Sequence, residues 1–165
     1  MTTMPSHAQR HAERLARTVT GPMWHGPALD EVLAGVSAAQ AAAHPVPGAH
    51  SIWELVLHVS VWTEIPRERL HGRPYEEVPP EIDWPSPPTG DAATATAWQA
   101  ACERLRAAYR ALADDTAALS DDALRATVAR APYSVATMLR GVVEHGTYHG
   151  GQIALLRRAL QASRG

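Results

Sequence analysis

Apolar residues recur every three or four positions in four long segments of this sequence, and that spacing is typical of amphipathic α-helices. The segments cover residues 6–20, 51–70, 91–119 and 134–161. Shorter helical turns are predicted between them, and no segment alternates polar and apolar residues clearly enough to be a strand. The pattern therefore predicts an all-α protein, and a chain of 165 residues has the size of one domain.

Three of the four predicted helices begin at a residue that can cap free backbone N–H groups: Ser51, Asp91 and Ser134. Glu54 stands three residues after Ser51, which is the capping-box pattern. Pro66 lies inside the second helix and predicts a kink or a local break there.

The third predicted helix carries a near-heptad stripe of residues, which is typical of the buried face of a helix in an antiparallel bundle. Its members are Trp98, Cys102, Leu105, Tyr109, Leu112, Thr116 and Leu119. Because Cys102 belongs to this stripe, we interpret it as a small core residue and not as a nucleophile.

A proline-rich connection, about residues 72–90, separates the second and third helices. Such a segment is either a linker or a loop packed over the surface of a bundle. Ile82 and Trp84 within it favour the packed loop, because their large apolar side chains gain from burial.

The composition excludes several classes of function. The formal net charge is −2, so the chain lacks the basic character of a nucleic-acid-binding protein. All 15 basic residues are arginines, which excludes lysine-based catalysis. The single cysteine, Cys102, cannot form an internal disulfide. With no apolar run of about 18 residues and no signal-peptide pattern, we expect a cytoplasmic protein without a membrane partner.

Two histidines, His145 and His149, are four residues apart on the apolar row of the last predicted helix. That spacing places both imidazoles on one face, where they can reach a single metal ion. His58 lies between Leu55 and Trp62 on the apolar face of the second helix. Three buried imidazoles without partners would each cost desolvation free energy, which a shared metal would offset. From the residues alone, a metal site and separately hydrogen-bonded core histidines are equally supported.

A second pair with the same spacing, His7 and His11, lies on a row that continues through Arg14 and Thr18. A polar row on an amphipathic helix faces solvent. We therefore interpret this pair as exposed and not as a metal site.

The residues next to these histidines do not form a known catalytic motif. His145 is followed by Gly146, so the His-Glu-x-x-His motif of metalloproteases is absent. Glu54, one turn before His58, is either the capping-box residue or an outer partner of that histidine, and the cap is the favoured interpretation. Gln152 is placed to orient a ligand or to bridge two helices.

Glycines cluster in the last predicted helix beside the two histidines, at Gly146, Gly150 and Gly151. Each weakens the interior of a helix by about 1 kcal/mol relative to alanine. We expect them where a neighbouring helix or a ligand approaches the backbone closely.

Three stretches of the chain carry a family resemblance. They are Trp-His-Gly-Pro at 24–27, His-Ser-Ile-Trp-Glu-Leu-Val-Leu-His at 50–58 followed by Trp62, and the glycine-rich stretch at 141–153. The third is the most specific, since it matches the pattern His-x-x-Tyr-His-small-Gly-Gln-Ile. Together the three stretches resemble the DinB/YfiT-like superfamily of four-helix metal-binding proteins.

The resemblance implies an up-down-up-down four-helix bundle with short extra helices. It also implies one divalent metal ion, usually zinc or nickel, held by three histidines that correspond to His58, His145 and His149. Relatives of this kind include thiol-dependent S-transferases and a thiol-dependent isomerase, and they often form homodimers.

Two functions of different classes follow. The first is a metal-dependent thiol S-transferase for small electrophiles, with a low-molecular-weight thiol as co-substrate and a role in detoxification or stress. A metal held by three neutral imidazoles keeps its full charge and an open position, where a thiol loses its proton more readily. The second is a non-enzymatic, metal-stabilised bundle that binds small molecules in the stress response. A metal-dependent hydrolase is a weaker alternative.

Four aromatic residues are candidates for the mouth of a small-molecule pocket: Trp24, Trp62, Trp84 and Tyr148. Ligand pockets are commonly lined by aromatic side chains. Packing in the core is the favoured alternative for each of them.

Overall fold

The computed structural model describes residues 4–162. Within this range the chain forms eight α-helices, one 3₁₀ turn and no strand, so the predicted all-α class is confirmed. The helices are α1 (His7–Thr20), α2 (Leu29–Leu33), α3 (Ala38–Ala42), α4 (Ile52–Leu70), α5 (Pro80–Asp83), α6 (Ala95–Ala117), α7 (Asp121–Arg125) and α8 (Val135–Ala162). None of these helices combines the length and the apolar character that crossing a bilayer requires.

Helix α4 begins with the predicted capping box. The Ser51 hydroxyl accepts a hydrogen bond from the Glu54 N–H at 3.2 Å, and the Glu54 carboxylate accepts one from the Ser51 N–H at 2.6 Å. Both groups would otherwise lack partners at the helix start. The entry into α4 is therefore determined locally, by residues close together in the sequence.

The other two predicted caps have different outcomes. Ser134 caps α8, since its hydroxyl accepts a hydrogen bond from the N–H of Thr137 at 3.3 Å. The cap predicted at Asp91 is wrong. Asp91 belongs to the separate 3₁₀ turn Gly90–Ala92, and α6 begins after Thr94, whose hydroxyl accepts a hydrogen bond from Ala97.

The four long helices form the bundle, in which α1 and α4 each pack against both α6 and α8. Trp53 packs against Trp98 near the starts of α4 and α6. Arg67 pairs with Asp115 near their ends, at 2.7 Å. Helices α4 and α6 therefore run in the same direction.

Helix α8 runs against α4 and in the same direction as α1. Arg69, at the end of α4, donates a hydrogen bond to the hydroxyl of Tyr133, just before α8 begins. His7 and Ser134, at the starts of α1 and α8, line one surface cleft. The order of helix directions is therefore up-down-down-up.

This order differs from the up-down-up-down order that we predicted. The reason is the connection between α4 and α6, residues 71–94. It is long enough to return along the whole of α4, whose 19 residues span about 28 Å. Helix α6 can then start at the same end of the bundle as α4, as in other bundles with a long crossover connection.

The predicted stripe of α6 lies in the core and is buried from Trp98 to Thr116. Tyr109, within this stripe, is fully buried and donates a hydrogen bond to the Val142 carbonyl oxygen at 3.3 Å. Burial raises the pKa of Tyr109 far above its usual range. Tyr109 therefore stays neutral and links α6 to the middle of α8.

Helix α4 continues through Pro66 to Leu70, so the local break predicted at this proline does not occur. Pro66 is buried, and α4 packs against both α6 and α8. A proline removes one backbone hydrogen bond from a helix, but tertiary packing supplies most of the stability of a helix in a folded protein.

We expect Cys102 to react slowly with thiol reagents while the protein is folded. Its side chain is buried, and burial raises the pKa of the thiol to about 11. Because the thiolate is the reactive form, its fraction at pH 8 falls roughly a hundredfold relative to an exposed cysteine. Iodoacetamide labelling followed by mass spectrometry, with and without denaturant, measures the difference. Equal labelling rates would contradict the interpretation of Cys102 as a core residue.

Candidate metal centre

Three histidines from two helices meet on the inner side of the bundle. The Nε2 atom of His58, on α4, lies 3.0 Å from the Nε2 atom of His145 on α8. One turn further along α8, the Nε2 atom of His149 lies 3.1 Å from that of His145. One ligand atom from each residue falls within 4.8 Å of the others. The structure thus brings together the three histidines that were singled out in the sequence.

The outer nitrogen atoms of two rings have their own partners. His58 Nδ1 donates a hydrogen bond to the carbonyl oxygen of Asp83 at 2.7 Å, and the Asp83 carboxylate lies 3.2 Å away. His149 Nδ1 donates to the side-chain oxygen of Gln152 at 2.6 Å. Because these oxygens only accept, Nδ1 carries the proton of each neutral ring. The unprotonated Nε2 atoms are therefore directed at the centre of the cluster.

Burial keeps these imidazoles neutral. Burial, together with the nearby His149 and His58, lowers the pKa of His145 to about 4. Burial also lowers the pKa of His58 and of His149, although Asp83 and Gln152 respectively oppose the change. The neutral ring is the form that binds metals, because its free lone pair is the ligand.

The distances fit a divalent metal ion. Metal–nitrogen bonds of roughly 2.0–2.1 Å place neighbouring nitrogen atoms of one site about 3 Å apart. The separations of 3.0 and 3.1 Å around His145 agree with that value. His58 and His149 present unprotonated Nε2 atoms, and the neutral His145 ring offers its Nε2 lone pair to the same ion when its proton is on Nδ1. The cluster therefore has the geometry and the protonation that a metal ion needs.

The connection after α4 covers one side of this cluster. The Trp84 ring stacks on the His58 ring at 3.8 Å between centroids, with an angle of 7°. Its other face stacks on His50 at 3.6 Å. The Trp62 indole N–H donates to the Asp83 carboxylate at 2.6 Å. Residues 83 and 84 therefore orient His58 and shield it from water.

The packed-loop interpretation is thus correct for Trp84, whereas Ile82 is 45% exposed and does not anchor the loop. Asp83 is the functional candidate that the sequence interpretation missed. Its position directly before a tryptophan in a proline-rich loop is the only signal that the sequence offers. The position of Asp83 in this loop does not predict which helix the loop covers.

Glu54 acts as the favoured capping residue. Its carboxylate accepts hydrogen bonds from the Ser51 N–H at 2.6 Å and from the His44 ring at 3.0 Å. The carboxylate that contacts His58 is that of Asp83. The structure therefore gives Asp83 the position that the alternative interpretation gave to Glu54.

The aromatic candidates for the pocket mouth divide into two groups. Trp62 and Trp84 are half-buried and lie against the His58 ring. Tyr148 is 64% exposed, with its ring 5.0 Å from that of His149. Trp24 is fully exposed in the connection between α1 and α2, so it belongs to neither the pocket nor the core. Trp62, Trp84 and Tyr148 therefore each neighbour a ring of the histidine cluster, and Trp24 does not.

The rival pair on α1 has a different environment. His7 is exposed and His11 is half-buried. Burial lowers the pKa of His11, and the nearby Arg14 and Arg140 lower it as well. The predicted exposure therefore holds for His7 but not for His11, and Thr18 on the same row is buried. Neither histidine belongs to the cluster of His58, His145 and His149.

A cavity of about 310 Å³ opens beside His145 between α4 and α8. Its walls are mostly apolar. They include Trp62, Pro66, Met138 and Val142, with Arg69 and Tyr133 at the end of the cavity away from His145. A small molecule in this cavity would contact one edge of the histidine cluster.

The fold and the site define a class of protein: an all-helical bundle whose buried histidine cluster can hold a metal ion. A family model of the DinB superfamily matches residues 23–153. The match covers most of the chain and includes His58, His145 and His149. The chain therefore belongs to the DinB superfamily, as the resemblance in its sequence indicated. Comparison with curated proteins and with solved structures gave no match.

Proposed function

We propose that this protein binds one divalent metal ion through His58, His145 and His149. We further propose that it is a thiol S-transferase that depends on this ion. The convergence of three ligand atoms within 4.8 Å is the observation that supports a metal. Three neutral ligands leave the ion its full charge and leave a coordination position open, as in catalytic sites. Imidazole suits zinc and nickel, which are the two ions we propose.

The metal would supply a positive charge that lowers the pKa of a thiol reaching it. The surrounding residues have separate tasks. Asp83 holds the ring of His58 in one tautomer, and Gln152 does the same for His149. Trp84 covers one face of the His58 ring and keeps water away from it. These contacts orient two of the three proposed ligands before any substrate enters.

The sulfur would come from a free low-molecular-weight thiol, because the one thiol of the chain, Cys102, is buried in the α6 stripe. In the transfer, an S–C bond forms and the bond from that carbon to its leaving group breaks. The thiol proton is released to solvent, and the leaving group departs with the electron pair. The cavity beside His145 would hold the electrophile.

Metal analysis and conjugation assays test this proposal. Protein purified without added metal is expected to contain about one zinc or nickel ion per chain. Conjugation of a thiol to a chromogenic electrophile should stop after chelation and return when the metal is restored. The assay covers a panel of low-molecular-weight thiols and small electrophiles. Folded protein that takes up no divalent ion would contradict the proposal.

A metal-stabilised bundle without turnover is the second candidate. It is favoured by the way the cluster joins distant parts of the chain, since His58 is on α4, His145 is on α8 and Asp83 is in the connection. An ion bound here would link these segments and oppose unfolding. A large fall in Tm with chelator, without conjugation of any thiol in the panel, would support this candidate over the transferase.

Four further functional interpretations come from the sequence. A hydrolase would use the same ion to activate water, but the residues offer no evident general base for it. A homodimer, a cytoplasmic location and a role in stress stay predictions. Size measurement in solution tests the first of these.

We expect Asp83→Ala to weaken metal binding by about tenfold, because outer partners of metal-bound histidines orient the ring and raise its basicity. The loss is smaller than for a ligand, since the Asp83 backbone carbonyl still accepts from His58. Competition with a chromophoric chelator measures the affinity. Glu81→Ala is the matched control, because Glu81 is an exposed carboxylate on the same short helix. Equal affinities for the two variants would argue against a role for the Asp83 side chain.

A further inference from the structure

The cavity beside His145 contains a buried cation. Arg69 is only 9% exposed, and its guanidinium donates a hydrogen bond to the Tyr133 hydroxyl at 3.1 Å. The Tyr75 ring lies against the same group, with 4.6 Å between the guanidinium carbon and the ring centre. Both partners are neutral. The positive charge of Arg69 is therefore held inside the protein without a matching anion among these contacts.

Four acidic residues, Glu64, Glu68, Glu76 and Glu77, line a second cavity that Arg69 also borders. Two of them have other partners. Glu64 pairs with Arg104, and Glu68 pairs with Arg73. Among residues 4–162, no carboxylate forms an ion pair with Arg69. A buried charge without a counter-charge is costly, and a ligand that brings an anion would offset the cost.

The shape of the cavity sets the distance between its two ends. Trp62 and Arg69 are seven residues apart on α4 and both line the cavity, which places them roughly 10 Å apart along the helix axis. The wall between them is apolar and includes Pro66, Met138 and Val142. His145 lies at the Trp62 end. A ligand that fills the cavity is therefore apolar along its length and has two different ends.

We propose that this cavity binds a small apolar carboxylate, with its carboxylate on Arg69 and its opposite end toward His145. Arginine is suited to this task, since its planar fork of N–H groups matches the two oxygens of a carboxylate. The assignment of this ligand as the electrophilic substrate rests on the proposed transferase function. The carboxylate site itself needs only the cavity and Arg69.

Calorimetric titration with a matched pair of ligands tests the proposal. 3-Phenylpropanoate and 3-phenylpropanamide have nearly the same shape and differ in charge. We expect the wild-type protein, metal-free and metal-loaded alike, to bind the carboxylate about ten- to hundredfold more tightly than the amide. Equal binding of the two, or binding of neither, would overturn the proposal.

Variants of two arginines on α4 locate the effect. Arg69→Met keeps an unbranched apolar side chain but removes the charge, so the preference for the carboxylate should disappear. Arg67→Met is the matched control, because Arg67 is exposed and pairs with Asp115 outside the cavity. It should keep the full preference. A preference that survives Arg69→Met in folded protein would show that the carboxylate binds elsewhere.

The same experiments separate this proposal from the transferase proposal. Selective carboxylate binding without thiol conjugation would support the carboxylate site and contradict the transferase. Conjugation with equal rates for acidic and amide electrophiles, together with equal binding of the phenylpropanoate pair, would support the transferase and overturn the carboxylate site.

Discussion

His145→Ala is expected to remove nearly all bound metal from the purified protein. His145 is the central member of the cluster, since its Nε2 atom lies 3.0 Å from that of His58 and 3.1 Å from that of His149. Two imidazoles alone leave half of a tetrahedral ion without protein ligands. The metal content should therefore fall from about one ion per chain to near zero. Chelator should then no longer lower the Tm of the variant.

His11→Ala is the matched control for this experiment. His11 is also a half-buried histidine with a second histidine four residues away, but it lies on α1 and outside the cluster. Its removal should leave the metal content unchanged. Elemental analysis gives the metal content, and circular dichroism verifies that both variants are helical. A folded His145→Ala protein that retains a full complement of metal would refute the three-histidine site.

Gly146→Ala is expected to destabilise the protein by about 1–3 kcal/mol, the usual cost of overpacking a core. A Cβ at this position would overlap with the buried Tyr109 hydroxyl and would lie 2.8 Å from a methyl carbon of Thr18. Tyr109 cannot move away easily, because it is fully buried in the α6 stripe. Denaturant unfolding followed by circular dichroism measures the free energy of unfolding.

Two further variants make this test specific. Gly151→Ala is the control: space around Gly151 is open, so the better helix propensity of alanine should leave stability unchanged or raise it by up to about 1 kcal/mol. Tyr109→Phe removes the hydroxyl that a Cβ at Gly146 would meet. The double variant should therefore lose less stability than the sum of the single losses. Additive losses of stability would mean that overlap with the Tyr109 hydroxyl is not the reason why Gly146→Ala destabilises the protein.

The direction of α6 explains why the histidine cluster has a cover. Since α4 and α6 run in the same direction, the chain must return along the bundle between them. That return path, residues 71–94, brings Asp83 and Trp84 onto His58. If α4 and α6 were antiparallel and joined by a tight turn, no segment between them could cover His58. The crossover thus supplies the outer partner of one histidine in the candidate metal site.

Much of the fold and of the candidate site could be predicted from local pattern. Ser51 and Glu54 cap each other within one turn, so the start of α4 needs no tertiary contact. His145 and His149 share a face because the helix repeat alone places them there. The stripe of α6 is buried as its spacing predicted. These features depend on residues that are close in the sequence.

Other features could not be predicted, because they depend on distant segments. The directions of α4 and α6 depend on the length and path of the connection between them, residues 71–94. That connection carries no periodic pattern from which its path could be predicted. Asp83 became a partner of His58 only because that path crosses α4. Among the glycines beside the histidines, Gly146 has the closest neighbour, the Tyr109 side chain of another helix, whereas Gly151 faces open space. Helix periodicity does not distinguish between two such positions.

The sequence by itself determined the class of the fold, the family and the three histidines, since each follows from spacing within one helix or from a short motif. Tertiary structure alone decided that the histidines converge to 3.0 and 3.1 Å, that Asp83 and Trp84 hold His58, and that Arg69 lies buried beside the site. The physical reason is that helix geometry sets which side chains share a face, whereas packing between helices sets which faces meet.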